Sequence, residues 1–165
     1  MEKLLKQFVK YNYWANEKIV SLLVEISPKH LDVSVKSSFT SVRKTVFHIW
    51  DAEVLYLKRL QGVSLDSFPS EKFPLTTPID KMLKTSREFC EFIEDKDKDF
   101  FQKMCLYKNT HGEEFSQPFS ELILHCMNHS TFHRGQVITI LRGLGYSAFP
   151  QTDLIHFLRI AWTEK

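Results

Sequence analysis

The chain has 165 residues, of which 43% are hydrophobic and 25% are charged, and it contains only 5 Gly and 6 Pro. This composition is typical of a single globular domain over residues 1–165, and it excludes collagenous, low-complexity and linker-rich proteins. The net charge of +2 is too small and too evenly spread to indicate nucleic acid or an anionic membrane surface as a partner.

Cellular location is predicted from three further features. The sequence has no apolar run near the ~20 residues that span a bilayer, and residues 1–7 lack the apolar stretch of a signal peptide. The three cysteines, Cys90, Cys105 and Cys126, are widely spaced and do not indicate a disulfide framework. We therefore expect a cytoplasmic protein.

The first half of the chain predicts two long helices. Apolar residues at three- and four-residue steps predict a helix over 2–26, which Pro28 ends because proline disfavours helical geometry in the residue before it. Residues 29–40 are polar and predict a loop. Ser41 is a suitable N-cap for a second helix that ends at Gly62. This helix is apolar almost all round, so it should be buried on several sides.

The second half predicts two more long helices and a short one. Thr77 is a suitable N-cap for a third helix over 78–97, and residues 103–117 predict a short hairpin or an irregular loop. A fourth helix follows over 118–144, and a short last helix over 153–163. Four long helices with almost no strand pattern predict an all-α four-helix bundle with long loops and a short C-terminal helix.

The fourth predicted helix carries three histidines on one face. His129 and His133 are one helical turn apart, and two imidazoles at this spacing can bind one metal ion, as in zinc metallopeptidases. Ser130 stands where those peptidases have their acid, so a metallopeptidase is disfavoured. His125 and His133 are about 12 Å apart along the helix axis, too far to share an ion. A third ligand therefore comes from another helix, or His125 replaces His133.

His48 is the best candidate for a ligand from another helix. It is the only other histidine within a long predicted helix, whereas His30, His111 and His156 lie in or near loops and termini. His48 does not lie at the centre of the apolar stripe of its helix, which counts against it. Three neutral imidazoles on Zn²⁺ or Ni²⁺ leave an open position, the arrangement of catalytic sites.

Other polar residues have predicted roles near these helices. Gln136 shares the histidine stripe, where it could bind substrate or orient a ligand. Glu53 falls on the apolar side of the second helix, and a buried carboxylate is costly unless it is paired, so Arg134 or Arg142 is its expected partner. Cys126 is better explained as a small buried filler than as a ligand, and we expect Asn12 and Asn16 to cap or cross-link helices.

At this point the sequence resembles the DinB (damage-inducible) family of the DinB/YfiT-like superfamily, over nearly its whole length. The matching segments, in order, are Tyr11–Asn16, Ser41–His48, Ala52–Glu53, Asn128–His129, His133–Gln136, Leu141–Gly145 and Asp153–Ile155. The resemblance implies a helical bundle with a metal triad of one histidine on the second helix and two on the fourth. These are His48, His129 and His133 here. Phe132 stands where many relatives have another histidine.

The resemblance also implies the kind of activity to expect. Low-molecular-weight thiol transferases and isomerases, and hydrolases, are the proposed enzymes of this superfamily. We therefore expect a divalent-metal-binding protein, with zinc or nickel, that acts as a thiol S-transferase on a small-molecule substrate. The alternatives are a metal-dependent hydrolase and a non-catalytic metal-binding or ligand-sensing bundle. We also expect a homodimer.

Overall fold

The computed structural model describes residues 1–73 and 79–163. Its helices and strands follow in chain order: α1 (Glu2–Val24), α2 (Pro28–Leu31), α3 (Val42–Leu60), a 3₁₀ turn (Pro69–Lys72), α4 (Lys81–Glu94), α5 (Lys98–Gln102), β1 (Met104–Lys108), β2 (Glu114–Pro118), α6 (Phe119–Gly143) and α7 (Leu154–Thr163). The four long helices α1, α3, α4 and α6 form a bundle, which confirms the predicted all-α fold. Among the described residues, no helix is long and apolar enough to cross a membrane.

Each long helix of the bundle packs against two of the other three. Helix α1 packs against α4 and α6, and α3 packs against the same two helices. Helices α1 and α3 therefore lie diagonally across the bundle from each other. The α3–α6 pair is the most extensive contact between helices, and it is the pair that carries the predicted metal ligands.

The core has two apolar halves with a polar layer between them. One half contains Ile19, Ile49 and Val137, and the other contains Val9, Leu57, Phe89 and Met127. Between the two halves along the same helices lie buried polar side chains: Asn12, Asn16, Glu53, Ser86 and Ser130. Each long helix contributes at least one of them, so the middle of this bundle is hydrogen-bonded as well as packed.

The predicted ends of the first two long helices are confirmed in part. The Ser41 hydroxyl accepts a hydrogen bond from the Lys44 backbone N–H (3.2 Å), which confirms the predicted N-cap of α3. Gly62 has φ +79°, the left-handed conformation predicted at that end. The predicted extent of α1 is too long, because α1 ends at Val24. Pro28 occupies the first position of α2, a short helix within the predicted loop, because proline suits the first turn of a helix.

The third long helix is shorter than predicted. The predicted N-cap, Thr77, lies outside the described residues, and α4 begins at Lys81. It ends at Glu94 rather than near residue 97, because the Asp97 carboxylate accepts a hydrogen bond from Phe100 N–H (2.9 Å) and so begins α5. Of the two possibilities for residues 103–117, the hairpin is the one observed, with β1 and β2 paired antiparallel.

Candidate metal centre

Three histidines meet where α3 packs against α6. His48 lies on α3, and His129 and His133 lie one turn apart on α6. The Nε2 atoms of His48 and His129 are 2.9 Å apart, and one donor atom from each of the three residues lies within 4.8 Å of the others. His133 is buried, and the other two are half-buried. The structure therefore brings together the three residues that the resemblance implies as ligands.

An aromatic side chain covers one side of this cluster. Phe39 stacks on the His48 ring with 4.0 Å between ring centroids, and it meets His133 edge-on at 5.5 Å. Phe39 belongs to the segment between α2 and α3, which the sequence predicted only as a loop. Phe39 stands out in the sequence only as a phenylalanine in a polar, serine-rich stretch. That feature does not indicate which helix the ring contacts. The ring limits the access of water to this face of His48.

Gln136 fixes the orientation of His133. The Gln136 Oε1 atom lies 2.8 Å from Nδ1 of His133. Because a carbonyl oxygen can only accept a hydrogen bond, Nδ1 of His133 carries the proton, and Nε2 keeps its lone pair. A hydrogen bond to the outer ring nitrogen is the usual way in which proteins orient a metal-binding histidine. Gln136 therefore contacts a candidate ligand directly.

All three imidazoles are held in their neutral form. Burial lowers the pKa of His129 to about 3, and repulsion from positive charge on His133, His48 and His125 adds to this effect. Burial, followed by the proximity of His133, lowers the pKa of His48 to about 4. Burial also lowers the pKa of His133, and the hydrogen bond that His133 donates to Gln136 opposes that shift. Neutral imidazole is the form that binds metal ions.

These pKa shifts predict that the metal-free protein loses stability in acid. Histidine in the unfolded chain titrates near a pKa of ~6.5, whereas burial lowers the pKa of His129 to about 3 and that of His48 to about 4. Between these values the unfolded chain binds more protons, so the free energy of unfolding should fall as the pH drops from 7 towards 4.5. Glu53 acts in the opposite direction, because burial raises its pKa and favours the protonated folded form.

The test is the Tm of EDTA-treated protein between pH 7 and pH 4.5. Since other carboxylates also titrate in acid, the informative quantity is the difference between the wild type and His129→Ala. The variant should lose less Tm over this range, because one of the histidines with a lowered pKa is gone. If Tm depends on pH equally in the two proteins, the lowered pKa of His129 does not contribute to the loss of stability in acid.

The residues present fit a bound metal ion. In a tetrahedral zinc site with bonds of about 2.0–2.1 Å, two nitrogen ligands lie roughly 3.3 Å apart, close to the His48–His129 separation of 2.9 Å. Without an ion, one of these two facing nitrogens must carry a proton and donate a hydrogen bond to the other. In addition, Nδ1 of His129 is buried and has no hydrogen-bond partner among the described residues, although buried polar atoms are usually paired.

The remaining histidines lie outside the cluster. His125 is exposed, one turn before His129, with 5.9 Å between their ring centroids. His30 is hydrogen-bonded to the Tyr146 hydroxyl (2.7 Å), and the His156 ring packs on Trp14. On the same helix Cys126 is fully buried in the apolar core, which agrees with its predicted role as a filler. Phe132, which stands where many relatives have another histidine, is 62% exposed, and its ring lies beside His133.

Glu53 holds the four helices together behind the histidines. Its Oε1 accepts hydrogen bonds from the side-chain amides of Asn12 and Asn16 (both 2.7 Å), and its Oε2 accepts one from the Ser86 hydroxyl (2.6 Å). The Ser130 hydroxyl, next to His129 in the chain, lies 3.4 Å from Oε1. These bonds link α3 to α1, α4 and α6.

The prediction that Arg134 or Arg142 pairs directly with Glu53 is wrong. Arg134 donates hydrogen bonds to the side-chain oxygens of Asn12 and Asn16, so the two amides lie between the guanidinium and the carboxylate. Arg142 is exposed and stacks on Phe149. Two asparagine amides can satisfy the carboxylate and the guanidinium together, because each carries both a donor and an acceptor. The expectation that Asn12 and Asn16 cross-link helices agrees with this arrangement.

Two clefts reach the histidines from the surface. One, of about 180 Å³, is lined by His48 and His129 together with Tyr56, Arg59, Thr110 and His125. We call it the histidine cleft. The other, of about 530 Å³, is lined by His48 with Phe39, Phe47, Asp51, Phe68 and Ser70 among others. The cluster is therefore accessible to a small molecule from the α3 side.

Comparison with known proteins gives the context for this site. The model of the DinB family matches residues 1–165. The protein DinB of Bacillus subtilis (strain 168) is 26% identical over an alignment that covers 94% of each chain.

Three solved structures share the fold. The DinB-like protein YjoA of Bacillus subtilis has a TM-score of 0.66 at 16% identity, covering 89% of this chain and 97% of its own. YfiT of Bacillus subtilis, described as a probable metal-dependent hydrolase with an unusual four-helix bundle topology, has a TM-score of 0.65 at 12% identity, covering 89% and 91%. A DinB-like protein of Bacillus cereus ATCC 10987 has a TM-score of 0.61 at 17% identity, covering 87% and 94%. With a family match over its whole length and this shared bundle, the chain belongs to the DinB family.

Proposed function

We propose that this protein is a metal-dependent enzyme in which His48, His129 and His133 hold one divalent transition ion, zinc or nickel. The observation that carries the proposal is the convergence of three neutral imidazoles at the edge of an open cleft. Structural zinc sites usually have four protein ligands, whereas catalytic sites have three and leave one position for a reactant. Within the described residues, the group contains no fourth histidine, cysteine or carboxylate. This favours an enzyme over a non-catalytic metal-binding bundle.

The protein's own residues prepare the site for a reactant. Gln136 keeps the Nε2 lone pair of His133 available, and Phe39 limits water on one face of His48. A bound ion would supply Lewis acidity, which lowers the pKa of a thiol or a water molecule at the open position. The histidine cleft then decides which molecule reaches that position.

For the reaction itself, we propose transfer of a low-molecular-weight thiol to an electrophilic small molecule. The sulfur forms a bond to an electrophilic carbon, the leaving group departs with its electron pair, and the thiol proton passes to solvent. Of the described residues that line the histidine cleft, none is a carboxylate, so the cleft offers no Asp or Glu as a general base. A thiol needs none once its proton is lost, because the thiolate is the nucleophile.

Hydrolysis is the second candidate, and two observations favour it. The structural neighbour YfiT is described as a probable metal-dependent hydrolase. In this chain, His125 lines the histidine cleft as an exposed imidazole beside His129. An imidazole at this place could accept a proton from an attacking water molecule.

The two reactions can be separated with one set of proteins. Zinc- and nickel-reconstituted wild type, metal-free wild type and the triple variant His48→Ala, His129→Ala, His133→Ala would be assayed in parallel. One assay combines glutathione, cysteine or coenzyme A with monochlorobimane, and the other follows hydrolysis of p-nitrophenyl acetate. We expect metal-dependent conjugation that the triple variant loses. Metal-dependent hydrolysis without conjugation would replace the transferase with a hydrolase, and two rates insensitive to metal would reject an enzymatic role for the site.

A further inference from the structure

A buried arginine that has no anionic partner among the described residues lies in the histidine cleft. Arg59 is only 6% exposed, and its Nε atom has no hydrogen-bond partner in the described parts of the chain. Its guanidinium lies over the rings of Tyr56 and Tyr107, at 4.9 Å and 4.4 Å from their centroids. Burial raises the pKa of both phenols, so neither tyrosine supplies a negative charge.

The other buried arginines show that this arrangement is unusual within the molecule. The described residues include three buried arginines, Arg43, Arg59 and Arg134. Arg43 forms a two-pronged ion pair with Asp32, and Arg134 donates to three side-chain oxygens. For Arg59, no carboxylate lies within 4 Å among the residues that the structure describes. A buried charge is normally paired, because removing it from water is costly.

We propose that Arg59 binds an anionic group, a carboxylate or a phosphate, on the small molecule that reacts at the histidine cluster. This assignment rests on the proposed metal-dependent function. The planar guanidinium fork suits both anions, since it can donate two parallel hydrogen bonds to two oxygens. The two tyrosine rings hold the plane of the fork, so less freedom is lost when an anion binds.

The position of Arg59 limits the shape of this ligand. His48 and Arg59 are eleven residues apart on α3, which places them on the same face and about 16 Å apart along the axis. Arginine side chains in helices lean towards the helix N-terminus, which here is the direction of His48. The ligand therefore carries its anionic group several bonds from its reacting atom, and one end of it lies beneath the β-hairpin that supplies Tyr107.

Packing of the hairpin is a separate role that Arg59 also fulfils. Its guanidinium contacts Tyr107 on β1, and its backbone oxygen accepts from the Cys105 thiol (3.3 Å). Packing alone does not account for the orientation towards the cleft, where Arg59 lies with His48, His129 and Thr110. An uncharged side chain of similar length could pack against the same rings without the cost of a buried charge.

The test uses anions of known chemistry on the full-length, metal-free protein. Inorganic phosphate and succinate would be titrated separately, and the arginine Nε–H signals followed by ¹⁵N NMR. The variant Arg59→Lys identifies the Arg59 signal by its disappearance. Arg142, which is exposed and stacks on Phe149, serves as the internal control. We expect a saturable shift of the Arg59 signal with at least one anion, while the Arg142 signal changes little.

Variants then measure the contribution of the guanidinium. By calorimetry, Arg59→Met should bind the anion at least about 10-fold more weakly, since hydrogen bonds to charged groups contribute about 1.5–3 kcal/mol. The matched variant Arg142→Met should bind like the wild type. Saturation by phosphate alone, by succinate alone or by both identifies the anion. The inference is overturned if the Arg59 signal moves no more than the Arg142 signal, or if Arg59→Met binds as tightly as the wild type.

Zinc content separates this inference from the proposed function. Arg59→Met should retain as much zinc as the wild type, because the arginine is not a ligand. If zinc binds but neither anion does, only the Arg59 assignment fails. If an anion binds at Arg59 but the wild type retains no more zinc than the histidine triple variant, the metal-dependent function fails, and with it the link between this anion and a reaction at the histidines.

Discussion

Replacement of His129 by alanine is expected to abolish stoichiometric metal binding. After reconstitution with Zn²⁺ or Ni²⁺ and dialysis, the wild type should retain about one ion per chain, and His129→Ala close to none. His129 is one of three imidazoles that lie about equally far from one another, with ring centroids 4.3 to 4.7 Å apart. Removing a partner that only orients a ligand already costs 10–100-fold in affinity, so removal of a ligand should cost more than ~100-fold. Mass spectrometry of bound metal measures this directly.

His125→Ala is the matched control for that measurement. It removes an imidazole from the same helix one turn away, but His125 is exposed and outside the three-histidine group. Its metal content should equal that of the wild type. If His125→Ala loses the ion and His129→Ala keeps it, the assignment of ligands is wrong. If wild type and His129→Ala retain equal amounts, the site does not bind metal under these conditions and the proposed function fails.

Replacement of Glu53 by alanine is expected to lower the free energy of unfolding by about 3 kcal/mol or more. The change leaves the donors of Asn12 and Asn16 without their acceptor in the centre of the bundle, and each buried unsatisfied group costs about 1–3 kcal/mol. It also removes one of the two acceptors within reach of the Ser86 hydroxyl, and it opens a cavity. Against a total stability of roughly 5–15 kcal/mol for a typical domain, chemical denaturation should show a large decrease in the transition midpoint.

Glu53→Gln should be much less destabilising, by about 1 kcal/mol or less. Burial raises the pKa of Glu53, because a charged carboxylate is costly to remove from water, and a neutral glutamine avoids that cost. A glutamine oxygen can accept from Asn12 and Asn16, and its amide can donate to the Ser86 oxygen. The Ser86 proton then goes to the Met82 backbone oxygen, which lies at 3.0 Å. A Gln variant as unstable as the Ala variant would contradict this view, because only the negative charge would then explain the loss.

Glu91→Ala provides the control for general effects of a glutamate substitution in a helix. Glu91 is exposed on α4, and surface substitutions of this kind usually change stability by no more than ~0.5 kcal/mol. A small effect for Glu91→Ala beside a large one for Glu53→Ala would locate the stabilisation in the buried network.

The long helices were predictable because their apolar residues repeat with the helical period. The ends of these helices were less predictable, because caps and short helices compete locally for the same backbone groups. Ser41 was identified correctly because its hydroxyl caps a backbone N–H three residues away, which is a local interaction. Asp97 was missed, because a run of alternating charges is compatible both with a continuing solvated helix and with a new cap.

The candidate site, too, was predictable only where it depends on local features of the sequence. The spacing of His129 and His133 on one helix is a local property, and the axial distance from His125 excluded one alternative. The choice of His48 came from the resemblance to a family, since spacing within one helix carries no information about its partner. Phe39, Tyr107 and Arg59 were not singled out, because Phe39 meets His48 and Tyr107 meets Arg59 only once the loop before α3 and the hairpin have packed against α3.

By itself, the sequence determined the bundle class, the pair of histidines on one face of α6 and the polarity of the residues around them. These follow from helical periodicity, which depends only on neighbouring residues. The tertiary structure decided that His48 meets His129 across the α3–α6 contact, that two asparagines separate Glu53 from Arg134, and that Arg59 lines the histidine cleft. These contacts join residues far apart in the chain, and their geometry is set only when the helices pack.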